Sequence, residues 1–338
     1  MVHLAKSDIA GRAEVAVCAV LPRSVKVVRV ARNNSSVDLA ISGVRVEVKW
    51  LGEGGLRQVR ELLTAPRHRP QVVVARRMSP GAREALSAAG VGWVDETGAA
   101  EIALGSVIVS RSGRPAEPRS RPPRWTPSVL AVAETILCGG KATVGAMQDT
   151  TGLSAGSCTN ALRALTDLGL LTSAVRRGRG SARQIPDRDR LLDEYATAVA
   201  AMAPATTLGV GVTWRDFIAS LSETGRRWEK AGVAWAATGA IAASVTAPYL
   251  TSVTSAEVFV DAKTIAGLES VAAEAGLRPI AGGRLILRPF PTVTARLLAA
   301  VRDGLRVAPW PRVYADLRVA GVRGEEAAEH LREVARGR

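Results

Sequence analysis

Residues 37–50 read VDLAISGVRVEVKW. Ser42 and Gly43 are a two-residue turn signal between two alternating runs, which predicts a hairpin. Side chains on a strand alternate between faces, so Val44, Val46 and Val48 share one face and Arg45, Glu47 and Lys49 the other. Asp38 lies near the start of the first strand. Carboxylates on neighbouring strands suit Mg²⁺, a hard cation that prefers oxygen. A lysine beside them helps such a metal to activate water and to stabilise charge building on a phosphate. Asp38 and Glu47 are therefore candidate metal ligands and, with Lys49, a candidate catalytic group. The same three residues also fit ordinary surface charges on a solvent-facing hairpin, so enzyme activity stays open.

A second constellation lies at residues 151–171, TGLSAGSCTNALRALTDLGLL, followed by TSAVRRGRGSARQI. The spacing predicts a helix over 154–168, capped by Ser154, with Cys158, Leu162, Leu165 and Leu168 inward. Ser154, Ser157, Thr159, Asn160 and Arg163 are its polar residues. Asn and Arg can bond base edges in pairs, and Ser and Thr can bond bases or phosphates. Beyond the helix, two short strands flank an Arg/Gly tip carrying Arg176, Arg177, Arg179 and Arg183, with no acid between Asp167 and Asp187. Those arginines suit phosphates or the minor groove.

Helices over 127–138 and 144–150 precede this one, with Gly152 in the connecting turn. The order of helix, helix-turn-helix and hairpin is that of a winged helix-turn-helix, which enters the major groove with its third helix. Ahead of it, residues 111–127 (RSGRPAEPRSRPPRWTP) hold five prolines and five arginines, an extended linker. The N-terminal part alternates candidate strands (25–31, 37–41, 44–50, 71–75, 107–110) with helices at 54–64 and 80–89, which favours a sheet covered by helices. Arg76 and Arg77 follow a strand and are available to phosphate, and Asp95 suits a turn. Residues 235–263 read as strand, helix and strand. The organisation expected is residues 1–113, a linker at 114–124, residues 125–190 and residues 191–338.

Composition agrees with a polyanion partner. Across 338 residues, 45 Lys and Arg oppose 31 Asp and Glu, a net charge of +14. Residues 1–113 carry +6, residues 114–190 carry +6 in a shorter span, and residues 191–338 carry only +2. Excess cation density at 114–190 marks the segment to face nucleic acid. The apolar fraction of 47% allows sizeable cores, and 4% aromatics makes them mostly Ala, Val and Leu. Three scattered cysteines and three scattered histidines give no disulfide framework, zinc spacing or histidine triad, and they favour a reducing, cytoplasmic setting. Charges at Lys6, Asp8, Arg12 and Glu14 argue against a signal peptide. The uncharged stretches 195–214 and 231–256 lack the Leu, Ile and Phe density of membrane spans.

The Asp38 and Glu47-Val48-Lys49 hairpin, with the helix GGLRQVRELL after it, resembles the PD-(D/E)xK restriction-endonuclease-like fold. That resemblance implies Mg²⁺ at Asp38 and Glu47, with Glu14 and Gln58 as outer members of the site. Residues 151–171 resemble the recognition region of bacterial MarR-like and IclR-like repressors. Residues 72–102 and 312–334 are similar to AbiEi-like regulators of type IV toxin–antitoxin systems. Gly239 opens a helix as in nucleotidyltransferases, but Glu257 is followed two residues later by Phe259, so that resemblance is to a degenerate fold. The class expected is α/β and α+β multidomain: a restriction-endonuclease-like α/β domain, a winged helix-turn-helix and an α/β C-terminal domain. The function expected first is a transcriptional regulator that binds double-stranded DNA. A Mg²⁺-dependent endonuclease is the second expectation. An antitoxin that binds a nucleotidyltransferase toxin is the third, and the near-neutral C-terminal part suits such a protein partner or a homodimer.

Overall fold

The computed structural model describes residues 8–22, 24–32, 36–65, 69–105, 107–113, 125–173, 182–202, 205–249 and 252–337. The chain is mixed α/β, and its contacts divide into two compact units, Met1–Pro118 and Arg119–Arg338.

In the first unit, α1 (Asp8–Val20) precedes an antiparallel meander of β1 (Val27–Arg32), β2 (Ser36–Ile41) and β3 (Val44–Trp50). Helix α2 (Leu56–Thr64) crosses to β4 (Val72–Ala75), parallel to β3, and α3 (Pro80–Ala88) crosses to β5 (Gly92–Asp95), parallel to β4. Strands β6 (Ala99–Leu104) and β7 (Val107–Ser112) return antiparallel, so the seven strands lie in chain order. Alternation along the strands splits the core between two sheet faces. Val37, Leu39, Ile41, Val46, Val48, Val72 and Val74 pack with Ala13, Val17 and Val20 of α1. Val73, Ala75 and Trp93 pack with Val59 and Leu62 of α2 and with Leu86 of α3. Ser42 and Gly43 have φ of 51° and 84°, the left-handed pair that a two-residue hairpin turn needs.

The second unit begins with α4 (Pro127–Leu137), α5 (Val144–Thr151) and α6 (Ala155–Asp167). Next come α7 (Arg188–Ala200), β8 (Leu208–Gly211), α8 (Phe217–Lys230), β9 (Trp235–Thr238), α9 (Gly239–Thr246), β10 (Ala256–Val260) and α10 (Ile265–Glu274). The chain continues through β11 (Arg278–Pro279), β12 (Leu285–Pro289), α11 (Val293–Leu297), β13 (Ala300–Arg302) and β14 (Leu305–Val307), and ends with α12 (Trp310–Leu317) and α13 (Gly321–Arg336). Its sheet runs β11-β8-β12-β10-β9-β14-β13 and mixes parallel with antiparallel pairs.

One hydrophobic cluster runs from Trp125 to Leu331, so the boundary expected near residues 184–190 does not separate two cores. The reason is α4. The sequence pattern assigns it one apolar face, yet every residue from Val129 to Leu137 is buried. A helix apolar all round belongs inside a domain, and α4 packs against α5 and α6 on one side and α7, α11 and α12 on others. Among the described residues no helix is long and apolar enough to cross a membrane.

Gly225 of α8 lies under the Trp235 indole, where an added Cβ would fall 1.9 Å from a ring carbon. Helix propensity alone favours alanine there by about 1 kcal/mol. Overpacking costs about 1–3 kcal/mol and should win, so Gly225→Ala is expected to lower the urea midpoint. An unchanged or raised midpoint would contradict this packing.

Candidate functional site

Helices α4, α5 and α6 start at side-chain caps. Thr126, Thr143 and Ser154 accept the backbone N–H of Val129, Ala146 and Ser157 at 3.3, 3.3 and 3.2 Å. Gly152, at φ 68°, reverses the chain after α5. Beside it the Thr151 hydroxyl donates to the Met147 carbonyl at 2.6 Å and accepts from Leu153 N–H at 3.2 Å. The turn between α5 and α6 is thus fixed by hydrogen bonds rather than by packing alone.

Cys158, Ala161, Leu162 and Leu165 are the buried side of α6. The opposite side exposes Gly156, Asn160, Arg163 and Asp167, spaced as one helical stripe, with half-buried Thr159 at its edge. Ser154 is exposed but committed: it caps the helix and its hydroxyl donates to the Ser157 hydroxyl at 3.0 Å. Thr159, Asn160 and Arg163 therefore keep the most side chain free for a ligand, and Arg163 has no hydrogen-bond partner among the described residues.

After α6 the chain returns. Thr172 and Gln184 exchange backbone hydrogen bonds of 2.9 Å, an antiparallel bridge, and Arg183 N–H donates to the Ala142 carbonyl at 3.2 Å. Those bonds hold Arg183 against α6, where its Nε donates to the Thr166 hydroxyl at 3.3 Å. Burial and then the neighbouring Arg163 charge lower the Arg183 pKa. The returning segment thus brings a guanidinium group to the helix that carries Arg163. Arg176, Arg177 and Arg179 lie outside the described residues.

In the first unit, Asp38 and Glu47 are direct register partners, and Lys49 pairs with Ser36 one step along the same face. The three expected residues are therefore brought together on the face opposite α1, each half-buried. Helices α2 and α3 cover the β4–β5 part of that face. Arg45 also lies there, and its Nη2 donates to Asp38 Oδ2 at 2.6 Å. The outer members do not join. Glu14 pairs with Arg29, whose register partner Leu39 faces α1, so Glu14 sits on the other side of the sheet. Gln58 instead accepts from Gly54 N–H at 3.2 Å, bracing the loop before α2. Among the described residues no group of three or more Asp, Glu, His or Cys side chains could hold a metal ion, so a Mg²⁺ ion here would have only the Asp38–Glu47 pair and water as ligands. It would have to displace the Arg45 arm, an exposed ion pair of low cost.

Asp95 is a turn former, as its sequence context suggests. Only 1% exposed, it accepts from Thr97 N–H at 3.0 Å and Ala99 N–H at 3.3 Å through one oxygen. Through the other it accepts from Met78 N–H at 3.2 Å and Arg83 at 3.1 Å. Arg76 is exposed and pairs with Glu53 at 2.9 Å, and Arg77 is exposed. In the second unit, Glu257 and Asp261 pair with Arg288 at 2.7 Å and Arg296 at 2.9 Å.

The sequence pattern gives no notice of Glu134, which is fully buried in the middle of α4. Its carboxyl group accepts from the Tyr195 hydroxyl of α7, the Thr292 hydroxyl at 2.7 Å and the Thr294 hydroxyl of α11. Nearby, buried Arg312 holds Asp316 through two bonds of 3.1 and 2.7 Å, and Thr238 donates to the same carboxylate at 2.6 Å. The signal available was a single acid inside the apolar run SVLAVAETIL. Comparison with protein-family models, curated proteins and solved structures finds no match.

Burial raises the Glu134 pKa above its ordinary value near 4.5, against the pull of its hydroxyl donors and Arg312. The folded state then holds this proton more tightly than the unfolded state. The stabilising contribution is complete below the unfolded pKa and is lost as pH rises through the folded one. Glu134→Gln keeps hydrogen-bonding capacity without the ionisation. Its stability relative to wild type, from urea unfolding, is expected to improve as pH rises from 4 into the neutral range. A difference constant with pH would contradict a raised pKa.

Proposed function

We propose that this chain is a DNA-binding transcriptional regulator in which α4, α5, α6 and the segment 172–184 act as a winged helix-turn-helix. The observation that carries the reading is the outward stripe of α6, where Asn160 and Arg163 are exposed, with Arg183 held against the same helix through Thr166. Cations so placed favour an anionic partner. A phosphate backbone pairs with them and gains counterion release. Asn160 and Arg163 lie on the exposed face of a helix that packs only its other side on α4 and α5. They are the side chains suited to base edges, and Thr159 suits a phosphate or a thymine methyl. Arg176, Arg177 and Arg179, outside the described residues, are assigned phosphate contacts in this reading from their place in the sequence alone.

The test uses a duplex selected from a random library by the full chain. Asn160→Ala and Arg163→Ala should each cost about 1–3 kcal/mol of affinity and relax the selected sequence. Arg183→Ala should weaken binding to all duplexes and lower the salt slope by about 1. Unchanged affinity in the Arg163→Ala, Arg183→Ala double variant would overturn the reading.

A second reading, a Mg²⁺-dependent DNA endonuclease, draws support from the Asp38–Glu47 register and from Lys49 on the same face. It ranks second because Arg45 already neutralises Asp38. If it holds, Mg²⁺ or Mn²⁺ should support cleavage of duplex DNA that Glu47→Ala and Lys49→Ala each abolish. Cleavage that survives both substitutions, or none with either metal, would dismiss it.

A further inference from the structure

The second unit contains a cavity of about 650 Å³, a size typical of sites for small organic ligands. It opens where the end of α4 meets the start of α7, the β13–β14 hairpin, the start of α12 and the last turns of α13. Leu192, Leu298, Val307 and Trp310 give it an apolar wall. Its charged lining is four arginines, Arg188, Arg302, Arg332 and Arg336, and one acid, Asp189.

The fate of each charge decides what the cavity suits. Asp189 is taken by Arg336. Arg332 is held by Glu329 and lies 3.8 Å from Asp193. Arg188 is spent on a neutral group, the Leu137 carbonyl at the end of α4, and Arg302 is exposed on the edge strand β13. Neither Arg188 nor Arg302 has a carboxylate partner among the described residues. Two guanidinium groups without carboxylate partners beside an apolar wall call for an anion, and guanidinium forks match carboxylate, sulfonate and phosphate oxygens.

We propose that this cavity binds a small amphipathic anion, its apolar body against Leu192 and Trp310 and its acidic head between Arg188 and Arg302. The site does not depend on the DNA-binding reading. It adjoins Cys138 and Gly139, where α4 ends and the chain turns towards α5.

The experiment uses the full chain with 8-anilinonaphthalene-1-sulfonate as a fluorescent probe, decanoate as competitor and inorganic phosphate as a head-only control. One saturable site is expected, from which decanoate displaces the probe and equimolar phosphate does not. Ala335→Trp, which fills the cavity from a half-buried position in the last turn of α13, should weaken probe binding. Arg302→Glu should do the same, each by about tenfold or more, the loss of one charge-assisted contact. Arg226→Glu, the same charge change at an exposed position outside the cavity, should leave binding unchanged. Absence of saturable binding would overturn the proposal. So would binding indifferent to both Ala335→Trp and Arg302→Glu, or displacement by phosphate as effective as by decanoate.

Discussion

A carboxyl group sealed inside a protein must be met by donors, because an unpartnered buried charge is far too costly. Glu134 imposes that requirement on the second unit. Its three hydroxyl donors come from two elements distant in the chain, Tyr195 in α7 and Thr292 and Thr294 at the start of α11. Thr292 also caps α11 by accepting Ala295 N–H at 3.1 Å, so the same hydroxyl starts a helix and satisfies the acid. Moving α4 relative to α7 or α11 would strand the carboxyl group. The three-helix segment is therefore locked to the sheet-bearing part of its unit by a polar hub inside one apolar core, and α6 is presented from a rigid base. Recognition elements gain precision when their support is fixed in this way.

Polar hubs serve the first unit differently. Asp95 gathers the turn between β5 and β6, the start of α3 and Arg83 around one carboxylate. Arg83 in turn lies 4.9 Å from the Trp93 ring centre, a cation–π contact on the α2–α3 side of the sheet. The hairpin of Asp38, Glu47 and Lys49 uses the β2–β3 end of that face, away from the cluster that α2 and α3 make with β4 and β5. Structural acids are thus enclosed by backbone donors, while Asp38 and Glu47 remain half-buried.

Local chemistry was legible in the sequence and long-range packing was not. Helices expected over 127–138, 144–150 and 154–168 occur as α4, α5 and α6, because Thr126-Pro127, Gly152, Ser154 and Gly169 act within a turn of themselves. The 37–50 hairpin follows from alternation and the Ser42-Gly43 turn, and its register places Asp38 opposite Glu47. Glu14 was misplaced because helix periodicity does not say which sheet face a helix will cover. The core continues past residue 190 for a related reason. Asp187 does cap α7, accepting Arg190 N–H at 2.9 Å, but a helix start is a local event and need not end a core. Glu134, Tyr195, Thr292 and Thr294 span more than 150 positions, and only the folded chain brings them together.

Net charge also changes meaning once each cation is placed. The density of +6 across residues 114–190 suggests a uniform basic surface, but folding divides its arginines by task. Arg188 and Arg190 serve helix ends: Arg188 takes the Leu137 carbonyl of α4, and Arg190 takes the Leu168 and Gly169 carbonyls after α6 at 3.3 and 3.5 Å. Cations at helix C-termini are favourable there. Arg312 and Arg332, deep in the unit, are balanced by Asp316 and Glu329. Setting Arg188 and Arg190 aside leaves Lys141, Arg163 and Arg183 as the other cations in the described part of the segment. The electrostatic case for a polyanion therefore rests on where individual cations sit, and much less on the total.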